Sequence, residues 1–565
     1  MLRRIAPWIT EPDEETGSLG SASRAVTFAR VVTRTTSLVL AFMVLQRIIL
    51  RLCRPSEETF SHASILIEGL RQHGGLLVAV IVGGAVLLVS LPRLRQGWTQ
   101  FDGGRRLRWF IGTIAAILAW AGSAYAFNAW YDQPHLADRA ALIVLAGLVW
   151  WRPVFALPFA AAFWAIIWQF NYPALGFQTL EAEFRPVVNT LTLFSAAVLI
   201  RAVFGGRRMD GFLFLALCLV AANFWVPGAG KLRIGWVTHG HVDFLIPNAY
   251  THGWLAFLEP QSIVRAARAM AALDWPLRVG TLALECGAIL LFMDARVAKG
   301  FLILFTWLLG MFFLTIGYLF WKWIVLQIAL WILLFHPLDG AAIAWRRRLF
   351  TKERFAVSLV VIGLAQVWFE PARLAWFDTP LANMLRYEAV GPSGAVYDLP
   401  PGFFAPYESH VAMARFVTPL TPGPDLTDSY GVTGDRTIAD ALIGAKSPED
   451  ILRLEQAESR GANGVELEFA QRFDEFVRRT ATASNRSLAA GPRRGRLLTL
   501  FYPLPFLWTF QRGVPYRGSE PIACVRVVRV SSFFDGRTYD LFRRETLRTI
   551  RIQEQPACPT GDSGH

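Results

Sequence analysis

The 565-residue sequence lacks the short motifs that identify many soluble enzymes. We find no Walker-type phosphate loop, no Gly-x-Ser-x-Gly turn for a nucleophilic serine, no Cys-x-x-Cys pair and no Gly-x-Gly-x-x-Gly ahead of a helix. The five cysteines are too few for a disulfide-rich scaffold. These absences remove the simplest assignments to a P-loop nucleotide hydrolase, an α/β-hydrolase, a dinucleotide-binding oxidoreductase or a thiol redox protein.

Acidic residues are fewer than basic ones, 43 against 56, and the formal net charge is +13. Much of the positive charge lies in short loops between apolar runs, which is the placement that the positive-inside rule describes. No basic helix with interleaved aromatic residues accompanies it. We therefore expect a lipid bilayer, and no nucleic acid, as a partner. The clusters are Arg93, Arg95, Arg105, Arg106 and Arg108; Arg207 and Arg208; and Arg346, Arg347, Arg348, Lys352 and Arg354.

Hydrophobic residues make up 54% of the chain, more than a soluble domain of this size can bury. Several runs approach the roughly 20 apolar residues that cross a bilayer. The sequence predicts a polytopic all-α membrane bundle of about 9–11 transmembrane helices, followed by a C-terminal extracytoplasmic α+β domain. The predicted spans are 36–52, 75–92, 109–129, 139–151, 154–170, 187–204, 211–226, 275–293, 298–319, 321–337 and 355–372.

The arginine placement also predicts the orientation of the chain. We expect residues 1–35 to be a cytoplasmic N-terminal segment, 36–375 the transmembrane domain and 376–565 the extracytoplasmic domain. The first 25 residues lack the apolar core of a cleaved signal peptide, so the first span is expected to act as a signal anchor. The predicted location is a bacterial inner membrane, with the C-terminus outside the cytoplasm.

The C-terminal region reads as helices and strands with turns rich in proline and glycine. Ser447 is a predicted helix cap, and "GVELEFAQRFDEFVRRT" places three phenylalanines on one helical stripe that would pack in the core of this domain. "ACVRVVRVSS" and "LRTIRIQEQ" alternate apolar residues with arginine, which predicts strands with one face in water. Cys524 and Cys558 are candidates for a disulfide in an oxidising compartment.

A lone lysine follows the seventh predicted span in "VPGAGKLRIGWVTHGHVDF", residues 226–244. A snorkelling lysine at the membrane edge is the ordinary explanation. However, Gly228, Ala229 and Gly230 form a predicted turn that lets a helix or a ligand approach closely. Burial without a counter-charge would lower the pKa of the Lys231 amine and make it a base. Lys322, between two tryptophans at a predicted interface, is expected to snorkel, with a cation–π contact as the alternative.

Other polar residues in this region are candidates to line a binding pocket around Lys231. They are Trp236, His239, His241, His252 and Glu285, the last in the middle of a predicted span. The His-x-His-x-Asp pattern at 239–243 could hold a metal on a strand, but an ordinary polar loop is the favoured explanation and we predict no metal. A carboxylate at bilayer depth faces a cavity or a partner, so Glu285 is either functional or bonded to a neighbouring helix.

Four elements together resemble the horizontally transferred transmembrane (HTTM) family, which includes the vitamin K-dependent γ-glutamyl carboxylases. They are "AGKLRIGWV", "THGWLAFLEP", "FNAWYDQPHL" and a Phe-x-Asp-x-x-x-x-x-Gly turn at Phe292, Asp294 and Gly300. The resemblance covers about residues 30–340 and implies that Lys231 is the base that deprotonates a reduced quinone cofactor. Two family histidines are replaced, by Gln133 and Leu308, and the C-terminal half does not resemble the glutamate-binding region.

Two functions follow as hypotheses. The first is a quinol- or lipid-linked enzyme with carboxylase-like chemistry, in which Lys231 acts as base on the outer side of the membrane. The second is a non-catalytic membrane scaffold that docks a protein or peptide partner through its C-terminal domain. A transporter is disfavoured because the sequence shows no inverted repeat.

Overall fold

The structure is a computed structural model, and it describes residues 8–9, 24–52, 62–72, 90–124, 135–169, 175, 181–337, 339–404, 407–421, 425–427, 430–458, 467–489 and 513–552. Within these ranges an apolar helical bundle precedes a smaller α+β domain. The helices of the bundle and its connections are α1 (Arg24–Leu52), α2 (Ile65–Gln72), α3 (Gly104–Ala124), α4 (Leu136–Trp151), α5 (Ala156–Gln169), α6 (Glu181–Phe204), α7 (Asp210–Ile234), α8 (Trp236–His239), α9 (Leu245–Thr251), α10 (Pro260–Ala272), α11 (Asp274–Gly287), α12 (Ala295–Ile316), α13 (Trp321–Phe335), α14 (Gly340–Leu349), α15 (Lys352–Gly363) and α16 (Ala365–Trp368). Short 3₁₀ turns cover Pro92–Arg95, Trp98–Gln100, Pro153–Phe155 and Ala288–Leu290.

Five helices of the described chain are long and apolar enough to cross a bilayer: α1, α3, α6, α7 and α12. The count is six if α13 and α14, which meet at 105°, together make one bent span. Predicted spans 139–151, 154–170, 275–293, 321–337 and 355–372 coincide instead with the shorter helices α4, α5, α11, α13 and α15. Residues 75–89 of the second predicted span lie outside the described residues. The structure thus supports a helical membrane protein, with five or six candidate spans among the described residues.

Apolar side chains fill the bundle and also cover part of its outside. Inside, the rings of Phe224 and Phe305 stack with centroids 3.8 Å apart. Outside, Leu40, Val44 and Ile48 follow one another at four-residue spacing along α1 and are each 49–56% exposed. Water disfavours such a stripe, whereas lipid solvates it, because lipid tails are as apolar as the side chains. The outer surface therefore fits a bilayer.

The second domain is built on a four-stranded antiparallel sheet of order β3-β2-β5-β6, and a two-stranded sheet pairs β1 with β4. The strands are β1 (Phe377–Asp378), β2 (Leu381–Val390), β3 (Val396–Asp398), β4 (Val432–Thr433), β5 (Cys524–Phe534) and β6 (Tyr539–Arg551). The helices are α17 (Glu408–Ala412), α18 (Val417–Leu420), α19 (Arg436–Gly444), α20 (Pro448–Glu458) and α21 (Leu467–Ala489), with a 3₁₀ turn at Pro401–Phe404.

Most local predictions for this domain are confirmed. Ser447 precedes α20, and its Oγ accepts a hydrogen bond from the Asp450 amide at 3.4 Å. Phe473 and Phe476 of α21 are fully buried in the domain core. The prediction of a wet face on β5 is wrong, however, because Arg526 and Arg529 lie among buried neighbours. Arg529 is buried and Arg526 half-buried, and each is paired with a carboxylate, a pairing that alternation alone does not reveal.

The short helix α9 joins the bundle to the second domain. Its Asn248 side chain donates hydrogen bonds to the carbonyls of Thr379 at 3.1 Å and Gly431 at 3.3 Å. Its Thr251 hydroxyl lies 2.6 Å from the Ser532 hydroxyl on β5. Buried hydrogen bonds of this kind fix both orientation and distance, since an unmade one costs free energy. The second domain is consequently held over the end of α7.

Candidate active site

Lys231 lies in the last turn of α7, which remains helical through the Gly-Ala-Gly stretch. The predicted end of this span at 226 and the predicted turn behind it are therefore wrong. The helix ends at Gly235, which adopts a left-handed conformation with φ of 75°. That conformation is easiest for glycine and is a common way to end a helix. The lysine is thus positioned by a rigid element.

Gly228 and Gly230 allow two other segments to approach α7 closely. A Cβ at Gly228 would lie 2.8 Å from the Cβ of Glu285, and one at Gly230 would lie 2.9 Å from the Cβ of Ala375. Both separations are shorter than side chains tolerate, so glycine is required by contact rather than by a turn. The sequence prediction of a close approach is confirmed, and the approaching groups are α11 and the chain leading to β1.

Lys231 and Glu285 form a buried ion pair. The lysine Nζ lies 2.6 Å from Oε1 of Glu285, and the two residues are 9% and 3% exposed. The amine also lies 5.2 Å from the ring centroid of Trp236, a cation–π distance. Three of the residues predicted from sequence therefore meet. A carboxylate at this distance means that the lysine is not an isolated amine, so the condition of burial without a counter-charge is not met.

Only one of the two Glu285 oxygens is used by this pair. Oε2 is buried and has no hydrogen-bond partner among the described residues. The same holds for Oδ1 of Asp378 and of Asp243. Buried polar atoms are nearly always hydrogen-bonded, and each exception needs an explanation. Several unmatched acceptors in one region are typical of a place that binds a donor.

Asp378, on β1, is the site residue that the sequence analysis missed. It is 4% exposed, and burial raises its pKa to about 7; the negative charge of Asp243 adds to the rise, while Lys231 opposes it. Its neighbour Phe377 packs in one apolar cluster with Trp236. The only signal in the sequence was an acidic residue directly after an apolar pair, which is too common to single out. Asp378 is thus a second carboxyl group near Lys231, close enough for the lysine charge to affect its pKa.

The three predicted histidines go to different places. His241 lies 3.6 Å from Asp243, and its charge acts on Asp378, so it belongs to the surroundings of the pair. His239 faces α19 instead, where its Nε2 lies 2.6 Å from Arg436.

His252 is fully buried at the junction and contacts Tyr430, with the two rings tilted by 35° and their centroids 4.8 Å apart. Burial lowers its pKa to about 4, so it is neutral at ordinary pH. Its Nδ1 lies 2.9 Å from the Asn248 carbonyl, in the α9 contact between bundle and second domain. Within the described residues, no three His, Cys, Asp or Glu side chains form a group that could hold a metal ion.

Several remaining predictions concern single residues. Asp294 of the Phe-x-Asp turn caps α12, accepting a hydrogen bond from the Arg296 amide at 2.6 Å, and Leu308 is buried on α12. Lys322 does not snorkel: it is 2% exposed, and its amine lies 4.3 Å from the Phe184 ring centroid. Cys524 is disulfide-bonded, while Cys558 and Gln133 lie outside the described residues.

The fold and this site define a helical membrane protein with a buried lysine–carboxylate pair beneath a docked α+β domain. No family model, no curated protein and no solved structure matches the chain.

Proposed function

We propose that this protein is a membrane enzyme that removes a proton from an apolar acid, with Lys231 as the base and Glu285 as its proton partner. The resemblance to the HTTM family and the vitamin K-dependent carboxylases names a reduced quinone as the substrate. The observation that carries the proposal is the buried Lys231–Glu285 pair whose second carboxylate oxygen has no partner among the described residues.

The chemistry needs the pair to work as a unit. A proton passes from the Lys231 ammonium to Glu285 along their 2.6 Å hydrogen bond, which leaves a neutral amine and a carboxylic acid. The amine then takes the proton of a quinol hydroxyl, so the substrate O–H bond breaks and a new N–H bond forms. The quinolate charge is balanced by the ammonium that results. Because the total charge of the site does not change, the step suits a site with little water.

The docked domain supports the same role by closing the site. Asp378 is protonated below about pH 7 and lies where it senses the Lys231 charge. When the Asp378 carboxyl is neutral, no third charge lies next to the ion pair. An ionised Asp378 would instead make the Lys231 ammonium harder to deprotonate. Trp236 covers the amine on another side. These groups keep water out and leave the unmatched Glu285 oxygen for a hydroxyl donor.

The decisive variant is Lys231→Arg, because arginine keeps the charge but does not deprotonate at accessible pH. The purified full chain in lipid nanodiscs would be mixed anaerobically with a naphthohydroquinone, and the ultraviolet absorbance of its monoanion recorded. We expect the wild type to form the monoanion, and both Lys231→Arg and Glu285→Gln to bind the quinol without forming it. Lys299→Arg is the matched control, since Lys299 is an exposed lysine whose amine also lies over a tryptophan, 5.8 Å from Trp331.

A scaffold that docks a protein or peptide partner is the second candidate. It is favoured by exposed apolar side chains on the second domain, of which Leu467, Val514 and Leu541 are 73%, 63% and 51% exposed. In that case the ion pair only clamps α7 to α11, and arginine would replace lysine without loss. Monoanion formation by Lys231→Arg equal to the wild type would therefore reject Lys231 as the base and favour the scaffold.

The orientation of the chain is part of the proposal, with the N-terminus in the cytoplasm and the second domain outside. A cysteine introduced as Arg537→Cys, in the exposed turn between β5 and β6, should react with an impermeant thiol reagent on intact cells. Arg207→Cys, in the exposed loop between α6 and α7, should react only after permeabilisation. The reverse pattern would place the candidate site on the cytoplasmic side.

A further inference from the structure

A small cavity lies where the ends of three candidate spans meet, far along α7 from Lys231. It has a volume of about 50 Å³, and its lining includes Arg34 and Leu38 of α1, Arg201 of α6, and Arg208, Met209 and Phe212 at the start of α7. Arg34 lies in the first half of α1, Arg201 is in the last turn of α6, and Arg208 lies two residues before the start of α7. Antiparallel neighbours bring these ends to one face of the bundle.

The cavity combines a basic rim with an apolar wall. Leu38, Met209 and Phe212 are 6%, 2% and 1% exposed, so the wall is a closed apolar surface. Three guanidinium groups around it concentrate positive charge towards one end of the bundle. A ligand that fits both parts carries an anion joined to an apolar body.

The surrounding loops add to the positive charge among the described residues. Arg348 binds Asp102 at 2.6 Å and Asp210 at 2.7 Å, and Arg354 donates to the Asp210 carbonyl at 3.1 Å. Arg93 approaches Gly205. Six arginines thus gather here with two aspartates, counting described residues only. This balance favours an anionic ligand.

We infer that this cavity binds the phosphate of an anionic membrane phospholipid. Arginine forms paired hydrogen bonds with phosphate oxygens, and basic pockets between spans are suited to acidic headgroups. The apolar wall of Leu38, Met209 and Phe212 would contact the apolar part of the lipid next to its phosphate. A soluble phosphate would gain nothing from that apolar wall, so the lipid is the favoured source of the anion.

Native mass spectrometry of the detergent-solubilised full chain tests this inference, with phosphatidylglycerol as the probe and phosphatidylcholine as the neutral lipid. We expect one phosphatidylglycerol to bind in preference to phosphatidylcholine. Arg34→Gln combined with Arg208→Gln should weaken that binding about thirtyfold, since each surface arginine contributes about 1 kcal/mol to anionic lipid binding. Arg207→Gln is the matched control: Arg207 is adjacent in sequence, exposed and not in the cavity lining, and should bind as the wild type does.

A second variant fills the cavity without removing charge. A Cβ at Gly211 would meet only Leu38, at 3.7 Å, so Gly211→Leu can be accommodated by the backbone while its side chain occupies the space. It should weaken phosphatidylglycerol binding as well, and it decides the matter if the arginine variants do not fold. Equal lipid binding by the wild type, Gly211→Leu and Arg34→Gln/Arg208→Gln would overturn the inference. So would displacement of the lipid by glycerol phosphate at the same concentration, which would identify a soluble phosphate as the ligand.

Discussion

Two paired carboxylates in this protein, the buried Glu285 in the bundle and the half-buried Glu455 in the second domain, have opposite surroundings. Glu455 uses both oxygens: Oε1 accepts from Arg529 at 3.1 Å, and Oε2 accepts from Arg543 at 2.5 Å. Glu285 uses one oxygen for Lys231 and leaves the other buried without a partner in the described chain. A carboxylate whose two oxygens are both hydrogen-bonded has a structural role. A carboxylate with one unbonded oxygen can still accept a proton or a hydrogen bond from a ligand.

Removal of the lysine should have the largest effect on stability. Lys231→Met leaves Glu285 buried beside an apolar chain, and an unpaired buried charge costs about 3–5 kcal/mol. The double variant Lys231→Met/Glu285→Gln removes both charges and should recover most of that loss. Unfolding of the protein in detergent, followed by tryptophan fluorescence, measures both changes. If the double variant loses as much free energy of unfolding as Lys231→Met and Glu285→Gln lose together, the two side chains do not interact.

Glu455→Gln should cost about 2 kcal/mol, less than the lysine variant, because the amide still accepts one hydrogen bond and Arg543 can reach solvent. Quinol deprotonation by the bundle should be unchanged. The same unfolding measurement, combined with the monoanion assay, separates the two carboxylates. A loss of monoanion in Glu455→Gln with the fold intact would contradict the contrast drawn between them.

The pH dependence of stability should carry the signature of Asp378. Burial raises its pKa to about 7 from 3.8, so between these values the folded protein holds a proton that the unfolded chain releases. Stability therefore falls as the pH rises through this window, by roughly 1.4 kcal/mol per pH unit, and the loss is complete above about pH 7. Asp378→Asn should abolish this contribution. An identical pH profile in the variant and the wild type would show that Asp378 is not held protonated.

The disulfide of the second domain gives the smallest effect and the simplest measurement. If Cys524 pairs with Cys558, Cys558→Ser should expose one more alkylatable thiol in the denatured, unreduced chain, since Cys524 loses its partner. A decrease by one thiol would instead mean that Cys524 is bonded elsewhere. Intact mass after alkylation distinguishes the two outcomes. Any destabilisation by Cys558→Ser should be limited to the four-stranded sheet that contains Cys524.

The site was predictable where a single residue is unusual in its own surroundings. A lysine after an apolar run and a glutamate within one are local signals, so Lys231 and Glu285 could be named before their contact was known. The distance between their side chains could not be predicted, because it depends on how closely α11 packs against Gly228. Asp378 was missed because its burial depends on strand pairing more than 50 residues along the chain. His239 was misplaced because nothing local indicates that it faces α19 rather than the lysine.

The fold shows the same division between local and distant information. Hydropathy located the apolar helices, and capping and periodicity located α20 and α21. The continuation of α7 past Pro227 was not predicted, since proline and two glycines normally end a helix. Packing overrides those preferences here, because only small residues allow α11 and Ala375 to approach so closely.

The pairing of β1 with β4 has a consequence for the order in which the protein is made. Asp378 is held opposite Val432, and Phe377 opposite Thr433, so the cover over Lys231 depends on a segment synthesised some 200 residues after the lysine itself. A nascent chain that ends at Ala375 already contains both members of the ion pair and Trp236, but it lacks the cover that β1 and β4 provide. The site is therefore completed only when the second domain has folded, and a chain arrested before β4 would leave that side of the lysine open.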